Sequence, residues 1–164
     1  MAAHREDARN EIVEILRGLT FLEDGVRDAL IDAAWRHDDG KLHEIVQAAF
    51  GREPGEVPLA KSKPDFKNAS LVIRHEQHIP DQAEFEALPE LVQYLCPSTH
   101  AYGRGGFPYQ SSLKLGQAGI DTCQKSFFLF LKLMEAYGPW RLAYFQALVK
   151  AADHRASQKG ARVS

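Results

Sequence analysis

The sequence predicts an all-α fold. Apolar residues recur at helical spacing in successive segments, and no stretch alternates apolar and polar residues for long enough to argue a sheet. Glycine and proline punctuate these segments at Gly40, Gly51, Pro80 and Gly138-Pro139.

Each element follows from that pattern. The first helix carries Ala8, Ile12, Ile15, Leu16 and Leu19, and the second carries Val26, Ala29, Leu30, Ala33 and Ala34 before reaching His37 and Asp38. Gly40 ends it. A third runs from Leu42 through Ile45, Val46, Ala49 and Phe50 to Gly51, and Pro54, Gly55, Pro58 and Pro64 then mark a connecting loop. Loops of that size are often functional. The short apolar piece Leu71 to Ile73 leads into Arg74-His75-Glu76, and a fourth helix carries Leu88, Leu91, Val92 and Leu95 towards His100. The glycine-rich stretch from Ala101 to Pro108 reads as a loop. One closing helix centres on Phe127, Leu131 and Met134, and another, beyond Gly138-Pro139, carries Leu142, Phe145, Leu148, Val149 and Ala152. Residues 1–157 are expected to form one domain, with 158–164 as a flexible tail.

At 45% hydrophobic and 26% charged residues, without repeats or low-complexity tracts, the composition is that of a globular rather than a disordered chain. No apolar run approaches the roughly 20 residues that cross a bilayer, and the charged start from Met1 to Asp7 is unlike a signal peptide, so a cytoplasmic protein without membrane contact is expected. The cysteines, Cys96 and Cys123, are too few for a disulfide scaffold and are expected to be free thiols. A net charge of −2 provides no overall basic field for nucleic acid. A nucleic-acid substrate would have to be held by local basic residues, a metal or a partner.

Several polar residues fall on the apolar stripes. His4 lies on the stripe of Ala8 and Ile12, His37 on that of Leu30 and Ala33, His100 on that of Val92 and Cys96, and Asp153 on that of Phe145 and Val149. A lone inward histidine is ordinarily a satisfied core residue. A buried carboxylate such as Asp153 is costly without a cation or good donors, and several inward imidazoles make a metal ion its natural partner. The joint pattern therefore points to a metal site between helices.

The tract Ala33-Ala34-Trp35-Arg36-His37-Asp38-Asp39-Gly40-Lys41 has the form H-D-x-G-K. Adjacent His and Asp at a helix end offer an imidazole nitrogen and a carboxylate able to bridge two ions. Such a set suits phosphodiester hydrolysis, in which a metal lowers the pKa of a water and stabilises an in-line displacement.

Taken in order along nearly the whole chain, these motifs resemble the HD nuclease domains of type I CRISPR-associated helicase-nucleases, within the HD phosphohydrolase superfamily. His4 resembles the early histidine, and His37-Asp38 with Lys41 the signature. Leu59-Ala60-Lys61-Ser62 resembles the following loop, and Arg74-His75-Glu76 the next motif. Thr99-His100-Ala101-Tyr102-Gly103-Arg104 resembles the paired-histidine segment, and the stretches Tyr137 to Tyr144 and Ala152 to Ser157 the closing helix. One departure stands out: Thr99 occupies the place of the first histidine of the pair.

The resemblance implies an HD-domain helical bundle that cuts single-stranded DNA with metal-bound water as nucleophile. It implies one site of His4, His37, Asp38 and Asp153, and a second of Asp38, His75 and His100 that is a ligand short because of Thr99. Mixed imidazole and carboxylate ligands suit manganese, iron, nickel or cobalt, with magnesium an option, as one or two ions. Asp38 and Lys41 are the catalytic candidates. Lys41 is the candidate to steady the scissile phosphate or the attacking hydroxide, with Lys61 and Arg104 as further phosphate contacts; exposed surface lysines and arginines are the plain alternative for all three. Tyr102, Phe107 and Tyr109 are candidates to stack bases, although aromatics near glycine turns more often pack. The family joins this domain to a helicase and a CRISPR interference complex, but no G-x-x-x-x-G-K-[ST] phosphate loop occurs, so a helicase would be a separate chain or a removed segment.

Other readings are an HD phosphohydrolase acting on nucleotides, a non-catalytic helical interaction module with a degenerate site, and a structural zinc site of His75, His78, Cys96 and His100.

Overall fold

The computed structural model describes residues 2–59, 61, 74–82, 84–100, 105–108 and 115–163. Among these every regular element is helical, in agreement with the all-α expectation. Helix α1 spans Ala2–Arg17 and buries Ala8, Ile12 and Leu16 on one face, the spacing of a single helical stripe. Its C-terminal carbonyls have no partners within the helix, and Arg27 reaches one of them: Nη1 donates to the carbonyl of Leu16 and to that of Leu19 just beyond the helix, each at 3.0 Å.

Arg27 belongs to α2 (Asp24–Arg36), which occupies the centre of the fold and touches α1, α4 (Glu90–Ser98) and α5 (Gly116–Val163). Its inward residues Ala29, Ala33 and Ala34 alternate with Val26 and Leu30, so that helices can approach from both sides. After α2 comes a 3-10 helix, Asp39–Leu42, and then α3, Glu44–Ala49. Leu42, expected to open the third helix, thus lies in the 3-10 turn, and α3 is only six residues long. Packing of its single buried polar side chain offsets this. Gln47, 1% exposed, donates from Nε2 to the carbonyls of Lys41 (2.5 Å) and Leu59 (2.9 Å) and accepts the Leu59 N–H on Oε1 (2.7 Å). One amide thereby ties the 3-10 turn to the start of the following loop.

A second 3-10 helix, His75–His78, and a third, Phe85–Ala87, precede α4 (Glu90–Ser98). The chain closes with α5 (Gly116–Val163), which bends at Gly138. Gly138 has φ 74°, a left-handed conformation suited to glycine, and Pro139 then starts the second arm where a missing N–H costs nothing. The break expected at Gly138-Pro139 is therefore a bend between two helical arms. Helical structure continues through Val163, beyond the point at Gln158 where a tail is expected, and Lys159 pairs with Glu11 of α1. Leu71 to Ile73 lie outside the described residues.

The core is shared by α1, α2, α4 and both arms of α5, the first through Leu133 and the second through Leu142, Phe145, Leu148, Val149 and Ala152. Phe145 sits in it fully buried, edge-on to Tyr137 with ring centroids 5.6 Å apart. Beside it the one buried amide of that arm is satisfied, Gln146 Nε2 donating to the Tyr94 hydroxyl at 2.7 Å. Phe145→Ala should lower stability by about 3–5 kcal/mol, because the cavity cannot collapse between packed helices. Urea unfolding checks this; a loss below about 1 kcal/mol would mean that the core is not organised around this ring.

Among the described residues no helix is long and apolar enough to cross a membrane.

Candidate metal centre

Five separate elements deliver six side chains to one place. His4 comes from the first turn of α1, His37 and Asp38 from the end of α2, His75 from the second 3-10 helix, His100 from the turn after α4, and Asp153 from the second arm of α5. His4 Nε2 lies 3.1 Å and His37 Nε2 3.3 Å from Asp153 Oδ1. On the other side, Asp38 Oδ1 faces His75 Nε2 at 3.4 Å, His37 Nε2 at 3.7 Å and His100 Nε2 at 3.8 Å. The sequence-derived candidate ligands are thus all brought together. His37, Asp38 and Asp153 are buried, whereas His4 and His100, with side chains 27% and 30% exposed, form the solvent rim.

Local bonds set the direction of each donor. His37 Nδ1 lies 2.8 Å from the carbonyl of Ala34, which only accepts, so Nδ1 carries a ring proton and the ring turns Nε2 inward. That nitrogen is fully buried and has no hydrogen-bond partner; its neighbours are carboxylate oxygens of Asp38 and Asp153. Asp38 Oδ1, His75 Nε2 and His100 Nε2 are likewise buried without partners. Lone pairs facing lone pairs in a buried cluster repel unless a proton or a cation lies among them. The residues present therefore fit a divalent ion by the chemistry of their donors, and two groups, His4-His37-Asp153 and His37-Asp38-His100, are close enough to share one.

Lys41 and Gly40 shape the carboxylate side. Lys41 Nζ donates to Asp38 Oδ2 at 2.7 Å, which fixes the carboxylate and leaves Oδ1 for the imidazoles. The lysine expected to steady a phosphate is, in this arrangement, bound to Asp38. Gly40 has a different role: a Cβ there would overlap the carbonyl oxygen of His75 and lie 2.8 Å from its carbon. Only glycine lets the two 3-10 helices approach closely enough to bring His75 to Asp38.

Burial alone would raise the pKa of Asp38. It is outweighed by the His100 and His75 imidazoles facing the carboxylate and by the charges of His37 and Lys41, which hold it well below the usual carboxylate range. Asp153 is likewise lowered against its burial, by His37 and His4 and by the charge of His100.

Two supporting residues were not singled out for these roles from sequence. Arg5 pairs with the buried Asp39, donates from Nε to the Trp35 carbonyl at 3.2 Å and lies over the Trp35 ring. It pins the start of α1, and so His4, against the end of α2. Glu76, 2% exposed, places Oε2 3.4 Å from His75 Nδ1, which favours the proton there and the lone pair on Nε2. Its signal was visible in Arg74-His75-Glu76, but nothing local says that the carboxylate turns inward.

Other expectations fare differently. Thr99 is buried and bonds back to the Leu95 carbonyl at 2.9 Å, so the missing histidine is not replaced by its hydroxyl. The zinc set of His75, His78, Cys96 and His100 does not assemble: Cys96 is buried with its thiol towards the Ala33 carbonyl, and His78 lies in a different cluster. Burial pushes the Cys96 thiol up, away from the thiolate that zinc requires. Phe107 is buried, with its N–H donating to Ser126 Oγ, in line with the packing alternative. Lys61 is exposed; Arg104, Tyr102 and Tyr109 lie outside the described residues.

The fold and the site together define a protein that is all-helical over its described residues, with a buried cluster of histidines and aspartates that could hold a metal ion. Comparison with protein families, characterised proteins and solved structures finds no match to this chain.

Proposed function

We propose that this chain is an HD-type, metal-dependent phosphodiesterase that cuts single-stranded DNA. The observation that carries the reading is the buried, inward Nε2 of His37, which has no hydrogen-bond partner and lies between Asp38 and Asp153 in a ring of further imidazoles. The order of motifs that resembles the HD nuclease domains supports the same class.

His4, His37, Asp38 and Asp153 would hold a first ion, and Asp38, His75 and His100 a second; manganese, iron, nickel or cobalt suits these ligands, and magnesium is an option. With Thr99 turned to its own helix, the second set is the poorer of the two. A bound divalent ion supplies a water of lowered pKa and positive charge against the reacting phosphate. The chain's own groups do the positioning. Lys41 orients Asp38, the Ala34 carbonyl sets the tautomer of His37, and Glu76 orients His75. His4 and His100 at the rim leave the cluster accessible from solvent. Partner helicase and CRISPR interference complex follow from the resemblance as part of the same proposal.

The test is to incubate chelator-stripped protein with end-labelled single-stranded DNA, with and without manganese, nickel or magnesium. Cutting that requires added metal supports the reading. Measured metal binding without cutting under any of these ions overturns the DNA substrate and favours nucleotides, which the same metal chemistry would hydrolyse.

A further inference from the structure

A second group of ligand-type side chains lies on the other end of the two packed 3-10 helices. His43 follows the 3-10 helix Asp39–Leu42, His78 ends the 3-10 helix His75–His78, and Asp81 comes three residues later. The two imidazoles stack with centroids 4.3 Å apart and planes at 27°. Both turn a nitrogen to one carboxylate oxygen: His78 Nδ1 is 2.9 Å and His43 Nε2 3.7 Å from Asp81 Oδ2. None of the three belongs to the His37-Asp38 cluster.

We propose that His43, His78 and Asp81 form a second, structural site for a divalent transition-metal ion such as zinc or nickel. An ion about 2.1 Å from each of three donors needs them about 3–3.5 Å apart, and the two distances to Asp81 bracket that spacing. All three donor atoms lie within 4.8 Å of one another. Two neutral imidazoles and one carboxylate are a set that such ions prefer over calcium or magnesium. Asp81, with 45% of its side chain exposed, leaves the remaining coordination positions open to water.

Binding exchanges two local bonds: His78 Nδ1 now donates to Asp81 Oδ2 at 2.9 Å, and coordination through Nδ1 moves that ring's proton to Nε2 and replaces this bond with the ion. His43 Nδ1 now accepts the Ile45 N–H at 3.3 Å, so coordination through Nε2 moves the ring proton to Nδ1 and gives up that long bond. In return the ion joins the start of α3 to the segment after His78. Because the same 3-10 helices carry Asp38 and His75 to the first cluster, the ion would brace that cluster from behind.

This inference does not depend on the nuclease reading, and one measurement separates them. Stripped full-length protein is titrated with Zn²⁺ while the ring-nitrogen resonances of each histidine are followed by NMR. The expected result is that His43 and His78 shift together as a site fills. In Asp81→Asn that step should weaken at least tenfold, and in His43→Ala it should vanish, while the shifts of His37 and His75 persist. Unmoved His43 and His78 resonances at excess Zn²⁺, or unchanged binding in Asp81→Asn with circular dichroism intact, would overturn the second site. The shifts of His37 and His75 report on the first cluster independently.

Discussion

Asp38→Ala should abolish metal-dependent cleavage, a fall of at least about 10³-fold or about 4 kcal/mol of transition-state stabilisation, while helical content stays near that of the parent. The reason is positional. Asp38 is the carboxylate on which His75, His37 and His100 converge, and its other oxygen is held by Lys41. Without it the imidazoles that would form the second set have no shared acidic partner, and Lys41 loses its anchor. Removing one member of a buried ion pair commonly costs about 3–5 kcal/mol of stability. Here Lys41, with its side chain 20% exposed, can swing to water, so the loss should fall short of that range. Asp38→Asn provides the control for folding, since it keeps the shape and removes the charge. Both variants should bind less metal, and His37→Ala should share the loss of cleavage. Activity is measured on labelled single strands with manganese, alongside circular dichroism. Full activity in Asp38→Ala and His37→Ala would remove the basis for the nuclease assignment.

Gly40→Ala is expected to be damaging although it adds a single methyl group. The new Cβ would meet the His75 carbonyl group and lie 3.0 Å from Ile79 Cγ1, and backbone cannot give way as a flexible side chain can. Overpacking of this kind typically costs about 1–3 kcal/mol. The same shift carries His75 away from Asp38, so metal-dependent cleavage should fall with stability. Gly25→Ala makes the comparison decisive: Gly25 lies in α2 with nothing within 4 Å of its added Cβ, and alanine favours a helix over glycine by roughly 0.8–1 kcal/mol. Urea unfolding should therefore give opposite signs for the two substitutions. A Gly40→Ala protein as stable and as active as the parent would mean that the two 3-10 helices do not meet as closely as this.

Cleavage itself remains a proposal, whereas the convergence of its candidate residues is a geometric fact. His4, His37, His100 and Asp153 were legible because each continues an apolar stripe, and a helix carries residues at such spacing to one face. His75 was reached through motif order alone, since it stands in a 3-10 turn without periodicity of its own. The readings that failed concern residues whose orientation depends on distant partners. Cys96 and His78 suit zinc on paper, yet one turns into the helix packing beside Ala33 and the other towards His43 and Asp81.

By itself the sequence determined the helical class, the inward faces of α1, α2, α4 and the second arm of α5, and the adjacency of His37 and Asp38. These are consequences of local periodicity and of covalent order. Tertiary structure alone decided that Gly40 lies against His75, that Lys41 is engaged with Asp38, that Arg5 pairs with Asp39, and that His43, His78 and Asp81 come together. In irregular or 3-10 backbone no repeating face predicts where a side chain points, so its partner is set by how closely neighbouring elements can pack.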